Sequence, residues 1–263
     1  MILEEKMMKS FLARQGNKIY LRKFIIEHFP KELPKTYIEP FCGSASIFFN
    51  IKTETFNNYI INDLSTELIN YFNLIKNAST NLLDYPAKEE LDTLDKLKSF
   101  FDKSALLLND LTDEYKLIHY RIKFNNGYCN KPVYKSKYIY NNRQPLNLLN
   151  KIHFYKNKLN NIQILNMDYI ELVKLFKENE DAFFFLDPPY ENTTKSSNNY
   201  GYDDIDLDYL FETLKDVKGK WLLTLNDSAK IKDLAKPYKI IEYTTGGNTW
   251  KKNIRNELLI MNY

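Results

Sequence analysis

The chain has 263 residues, 44% apolar and 15% aromatic, with a net charge of +3. That is enough to bury a core in one or two domains and too apolar for a disordered polymer, and the mild charge does not by itself announce a polyanion partner. No apolar run approaches the ~20 residues needed to cross a bilayer, and the start, Met1-Ile2-Leu3-Glu4-Glu5-Lys6, lacks the basic end and apolar core of a signal peptide, so an intracellular protein without a membrane partner is expected.

The first element is a polar turn, Phe11 to Lys18, followed by Ile19, Leu21, Phe24, Ile25 and Phe29 at near-helical spacing up to Pro30. A turn that opens a helix offers N–H groups and the Lys18 ammonium to an anion; a plain loop with solvated charges fits this piece equally well. Next, Thr36 to Glu39 predicts a strand running into the small-residue turn Pro40-Phe41-Cys42-Gly43-Ser44-Ala45-Ser46 and then a helix over Ile47-Phe48-Phe49. Small residues there let backbone approach a nucleotide-like ligand. About twenty residues beyond the glycine, Tyr59 to Leu64 reads as a second strand ending in Asp63, where an acid accepts from ribose hydroxyls or simply caps the helix Ser65 to Ile75. Cys42 and Cys129 lie far apart with no metal-ligand spacing around them, so neither a zinc site nor a disulfide framework is expected.

From Asn77 to Leu111 the pattern is charged and helical, with Leu82, Leu91, Leu94, Leu97 and Phe101 as its apolar positions. The composition then changes. Between Tyr115 and Met167 there is no Asp or Glu, while Lys116, Arg121, Lys123, Lys131, Lys135, Lys137, Arg143, Lys151, Lys156 and Lys158 interleave with tyrosines and asparagines such as Asn126, Tyr128 and Asn130. One-signed charge mixed with amide and aromatic groups is a nucleic-acid footprint, because cations neutralise phosphates and release counterions while amides read base edges.

The alternation of strand and helix then resumes. Ile162 to Leu165 predicts a strand followed by the acid Asp168 and a helix over Ile170 to Phe176, and Ala182-Phe183-Phe184-Phe185-Leu186 predicts a fully buried strand. That strand stops at Asp187-Pro188-Pro189-Tyr190. Two prolines stiffen the backbone and leave carbonyl acceptors beside a carboxylate and an aromatic face, which suits the two N–H groups of a planar amino group such as that of adenine. A polar stretch over Asn192 to Asp204 reads as a loop beside that site. Asp206 to Leu214 and Ser228 to Ala235 read as helices around a strand at Trp221 to Leu225. Tyr238 to Tyr243 and Glu257 to Met261 read as a closing hairpin whose connector carries Gly246, Gly247, Lys251, Lys252 and Arg255, a second phosphate contact. The class is α/β, a mostly parallel sheet covered on both faces with an antiparallel strand at its edge.

Taken together, Gly16-Asn17-Lys18, Glu39-Pro40-Phe41-Cys42-Gly43, Asn62-Asp63, the basic insert with Gly127, Asn130 and Pro132, Asp187-Pro188-Pro189-Tyr190, and Asn256-Glu257-Leu258-Leu259-Ile260 resemble the DNA adenine methylase (Dam) family over nearly the whole chain. The resemblance implies a Rossmann-like sheet that binds S-adenosylmethionine, residues 1–76 and 155–263 forming the catalytic domain and 77–154 a mainly helical target-recognition insert. It implies cofactor contacts from Arg14, Lys18, Phe41, Gly43, Asp63, Asp168, Tyr169 and Asp187, and catalysis by Asp187, Pro188 and Tyr190 on a flipped adenine with no metal. DNA contacts are expected from Arg121, Lys123, Asn126, Tyr128, Asn130, Lys135, Lys137, Arg143, Lys251 and Lys252. The implied partner is double-stranded DNA met by a monomer, and the family also admits a cognate restriction endonuclease acting on the same site. The alternatives are an RNA adenine or glutamine methyltransferase sharing the tetrapeptide, and an inactive DNA-binding relative. Three positions depart from the family pattern: Arg14 replaces an aromatic, Asn17 a glycine expected to need positive φ, and Ala45 the second glycine of the cofactor turn.

Overall fold

The computed structural model describes residue 12 and residues 17–78, 94–125, 152–190, 205–245 and 255–263. Seven strands build it: β1 (Thr36–Glu39), β2 (Asn58–Asn62), β3 (Gln163–Leu165), β4 (Ala182–Leu186), β5 (Lys220–Asn226), β6 (Lys239–Thr245) and β7 (Arg255–Met261). They form one sheet in the order β3-β2-β1-β4-β5-β7-β6, in which β3, β2, β1, β4 and β5 pair in parallel. Strand β7 pairs antiparallel with both β5 and β6. The antiparallel strand therefore lies one place in from the edge expected for it; β6 holds the edge. The chain passes β5, forms the outer strand, and returns into the gap between the two.

Side chains alternate faces along a strand, and the apolar strands here are covered on both. Tyr37, Tyr59, Ile61, Phe183, Phe185, Leu222, Leu259 and Met261 point to one face, against α1 (Arg22–Glu27) and α2 (Thr66–Asn77). Ile38, Ile60, Phe184, Leu186, Trp221, Leu223, Leu258 and Ile260 point to the other. That face packs on α6 (Tyr169–Phe176), α7 (Leu207–Lys215) and α8 (Ala229–Leu234). Each of these last three helices starts on a side-chain cap, from Asp168, Asp206 and Ser228, which satisfies an amide the helix cannot. Gly219 enters β5 where a Cβ would stand 2.5 Å from the Ala182 carbonyl oxygen, so only glycine allows β5 to close on β4.

The helices α3 (Leu94–Leu106), α4 (Asp113–Asn125) and α5 (Ile152–Leu159) extend the first face. Leu117, Tyr120 and Phe124 of α4 and Tyr155 of α5 join the buried cluster of Phe49, Tyr71 and Phe72. Where the sequence suggests a helix after the small-residue turn, the chain makes a single 3-10 turn, Phe48–Asn50, with the Asn50 amide donating back to the Ser46 carbonyl. Among the described residues no helix is long and apolar enough to cross a membrane.

Candidate active site

The strand order reverses between β1 and β4, and the crevice beyond the carboxyl ends of strands at such a point is where open α/β sheets bind ligands. Three strand ends are tied there by one buried amide. Asn62 donates to the carbonyls of Pro40 (2.9 Å) and Met167 (3.0 Å) and accepts from the Met167 N–H, which sets the ends of β1, β2 and β3 level. The turn after β1 is held by Asp63, whose two carboxylate oxygens accept from the N–H groups of Gly43 (3.0 Å) and Ser65 (2.9 Å). Gly43 adopts φ 50° and Ala45 φ 49°. Left-handed backbone is cheap for the glycine and costs the alanine roughly 1–2 kcal/mol. The Ala45 methyl is fully buried in the core beneath the turn, so it strains the turn without protruding into the crevice. Phe41 and Tyr169 pack with ring centroids 4.7 Å apart and planes tilted by 37°, walling the crevice, and Asp168 caps α6 through the Ile170 N–H.

On the other side of the reversal stands the lip of β4. The Lys18 ammonium lies 2.7 Å from Asp187 Oδ1, and the Thr224 hydroxyl of the neighbouring β5 donates to the same oxygen at 2.6 Å. Burial pushes the Asp187 carboxyl up, while Lys18 and Thr224 pull it back. Burial also disfavours the Lys18 ammonium, but Asp187 and Glu257 outweigh it and hold Lys18 above its ordinary value. The result is a charged pair with one carboxylate oxygen of Asp187 already occupied. Lys18 also sits 4.7 Å over the Tyr190 ring, and the Tyr190 hydroxyl donates to Glu257 Oε2 at 3.0 Å. Lys18 is aimed by Asn17, whose side chain accepts from the Ile19 N–H and donates to the Leu12 carbonyl. Asn17 has φ −60°, so this residue needs no positive φ; it caps a 3-10 turn instead.

Lys18, Phe41, Gly43, Asp63, Asp168, Tyr169, Asp187, Pro188 and Tyr190 thus gather around one crevice. Arg14, Asn126, Tyr128, Asn130, Lys135, Lys137, Arg143, Lys251 and Lys252 lie outside the described residues, as do Gly127, Pro132, Cys129 and the loop over Asn192 to Asp204. Arg121 belongs to α4. Lys123, expected on DNA, instead donates to Glu67 of α2 at 2.6 Å. Lys156 and Lys158, part of the same basic run, donate to the carbonyls of Ala78 and Ile51.

Sequence reasoning gave no part to Thr224, Tyr243 or Thr245, and quoted Glu39 and Glu257 without a role. Glu39 lies buried beneath the crevice, accepts from the Tyr37 hydroxyl at 2.8 Å, and is pushed up to about 8 chiefly by burial and then by Asp187 and Asp63. A polar residue inside an apolar strand was the available signal for Thr224.

A mostly parallel sheet with this strand order, a left-handed turn at its reversal and a carboxylate lip across from it make an α/β fold with a ligand crevice at its switch point. Residues 15–246 match the family model of D12 class N6 adenine-specific DNA methyltransferases, and the chain belongs to that family. Among similar proteins are the type II methyltransferase M.MjaIII of Methanocaldococcus jannaschii, 29% identical over 97% of this chain and 99% of its own length. The type II methyltransferase M.CviBI of Paramecium bursaria Chlorella virus NC1A is 25% identical, covering 90% of each chain. The DNA adenine methylase of Vibrio cholerae is 25% identical over 77% of this chain and 73% of its own. The protein is an enzyme that methylates adenine in DNA with S-adenosylmethionine as donor.

Proposed function

We propose that methyl transfer takes place at the β4 lip, on an adenine turned out of double-stranded DNA at a specific site. The observation that carries this reading is the state of Asp187: it is a carboxylate pinned through Oδ1 by Lys18 and Thr224, which leaves Oδ2 turned to a second donor. Oδ2 and the Pro188 carbonyl accept the two N–H groups of the adenine amino group and draw its lone pair out of the ring. Tyr190 stacks on the extruded base, offsetting part of the few kcal/mol that flipping costs. S-adenosylmethionine, when bound, supplies an electrophilic methyl and leaves as a neutral thioether. The residues across the crevice suit it: Gly43 gives close backbone approach, Asp63 brings a carboxylate to the end of β2 beside the place for ribose hydroxyls, and Phe41 and Tyr169 offer an aromatic wall. The surplus proton on the methylated nitrogen leaves through Asp187. Positioning, not a metal, carries the acceleration.

Residues 1–76 and 155–263 form the catalytic part in this reading, and 77–154 the insert that meets the duplex, with the enzyme acting as an intracellular monomer. The type II relatives support a protective role against an endonuclease that cuts the same site. Replacing Asp187 with Ala should abolish tritiated-methyl transfer to unmethylated duplex DNA while DNA retention in a gel-shift assay persists. Normal turnover by D187A would sink the assignment.

A further inference from the structure

The network around Glu257 reaches across the fold. Glu257 is 6% exposed on β7, directly opposite Tyr243 of β6, and next to β5 through its register with Asn226. Its Oε2 accepts from the Tyr243 hydroxyl (2.8 Å) and its Oε1 from the Thr245 hydroxyl (3.1 Å), bonds that tie two neighbouring strands together. The third bond differs in kind. The Tyr190 hydroxyl donates to Oε2 at 3.0 Å, from a segment that follows β4 and shares no strand pairing with β7. The Tyr190 ring also packs against the buried cluster on its face of the sheet and lies under Lys18, and the bond to Glu257 ties its hydroxyl end to β7, which sets the ring's tilt over the crevice. Burial, then Asp187 and Glu257, push the Tyr190 phenol well up, so it stays a donor throughout the working range of pH.

We propose that Glu257 is a positioning residue that clamps the Tyr190 ring in the plane the extruded base stacks on, with the antiparallel insertion of β7 supplying the anchor. The clamp also serves the pair beside it. Glu257 adds to the field that keeps Lys18 protonated, and Lys18 in turn bridges the Tyr190 face and Asp187. The placement of β7 inside the sheet is what brings its carboxylate within reach of the lip; on the outside of β6 it would be one strand farther away. The proposal rests on the reading of Tyr190 as the stacking platform, and the two are tested separately.

The test uses full-length protein and four variants, Y190A, Y190F, E257A and E257Q, with the double variant Y190F/E257A. Tritiated-methyl transfer to unmethylated AT-rich genomic duplex gives kcat and KM, and calorimetry gives S-adenosylmethionine affinity. A hydroxyl bonded to a buried carboxylate is worth about tenfold in a positioning equilibrium. E257A should lose about tenfold in kcat with cofactor affinity unchanged, Y190F should lose a similar factor, and the double variant should be no worse than either. E257Q, whose amide oxygen still accepts from both tyrosines, should recover most of the rate. If E257A costs the same factor in the Y190F background as in the native one, Glu257 acts by pairing strands and the clamp is wrong. Native turnover in Y190F also overturns the clamp, while a dead Y190A beside it leaves the platform standing. Native turnover in Y190A removes the platform itself, and the clamp with it.

Discussion

Removing the Lys18 ammonium, as in Lys18→Met, leaves Asp187 buried without its cation. At 2.7 Å and an effective dielectric of about 20, the Coulomb attraction is roughly 6 kcal/mol. The side chains are only 7% and 17% exposed, so water replaces little of it, and breaking such a pair costs about 3–5 kcal/mol. Asp187 escapes that cost by binding a proton. Burial already favours the neutral acid, and Lys18 is the largest influence opposing it. A protonated Asp187 is a poorer acceptor for an amino group, so the variant is slow at neutral pH and recovers as the pH is raised. With 1.36 kcal/mol per pH unit, a loss of about 3 kcal/mol moves the acidic limb of the kcat profile up by about two units. The stability sign is the reverse: a carboxyl raised above its unfolded value stabilises the fold below that unfolded value and loses the contribution as pH rises, so the variant should melt closest to the native protein in acid. Methyl transfer between pH 5 and 10, measured for both proteins at saturating cofactor, provides the assay. An acidic limb that stays in place would show that Lys18 does not govern Asp187 ionisation, and the charged-pair account of the lip would be wrong.

Glu39 makes a second pH prediction. Its carboxyl is pushed from 4.5 up to about 8, so its stabilising contribution is whole below 4.5 and is lost as pH climbs to about 8; Glu39→Gln should flatten the fall of Tm between pH 5 and 8, and equal slopes in the two proteins would refute the burial assignment. Ala45→Gly removes the left-handed strain of roughly 1–2 kcal/mol but adds unfolded-chain entropy and gives up a buried methyl, so the net change in stability stays within about 1 kcal/mol. Because the methyl faces the core, calorimetry should find the cofactor affinity of A45G within threefold of native. For DNA, each lysine that neutralises a phosphate adds about 0.9 to the slope of log affinity against log salt. Lys135→Gln and Lys137→Gln should each lower that slope by about one, whereas Lys123→Gln should leave it unchanged because its charge is already spent on Glu67.

What the sequence made legible was local. Five apolar residues closed by an acid and two prolines could only be a covered strand with a stiff mouth, and β4 is that strand. The glycine turn and Asp63 were legible by their spacing, since the carboxylate that holds the Gly43 N–H comes from the end of the next strand, β2, which pairs in parallel with β1. What escaped was set by register across the sheet. Nothing near β7 says that it enters between β5 and β6, and from that one choice follow the partners of Glu257. The internal partners of the basic run escaped in the same way. A stretch without acids is still free to find them elsewhere, and α2 presents Glu67 to Lys123 while the carbonyls of Ala78 and Ile51 take Lys156 and Lys158. Charge counted along the chain measures what a segment carries; folding decides how much of that charge faces outward, and here three lysines of the basic run are spent on contacts inside the protein.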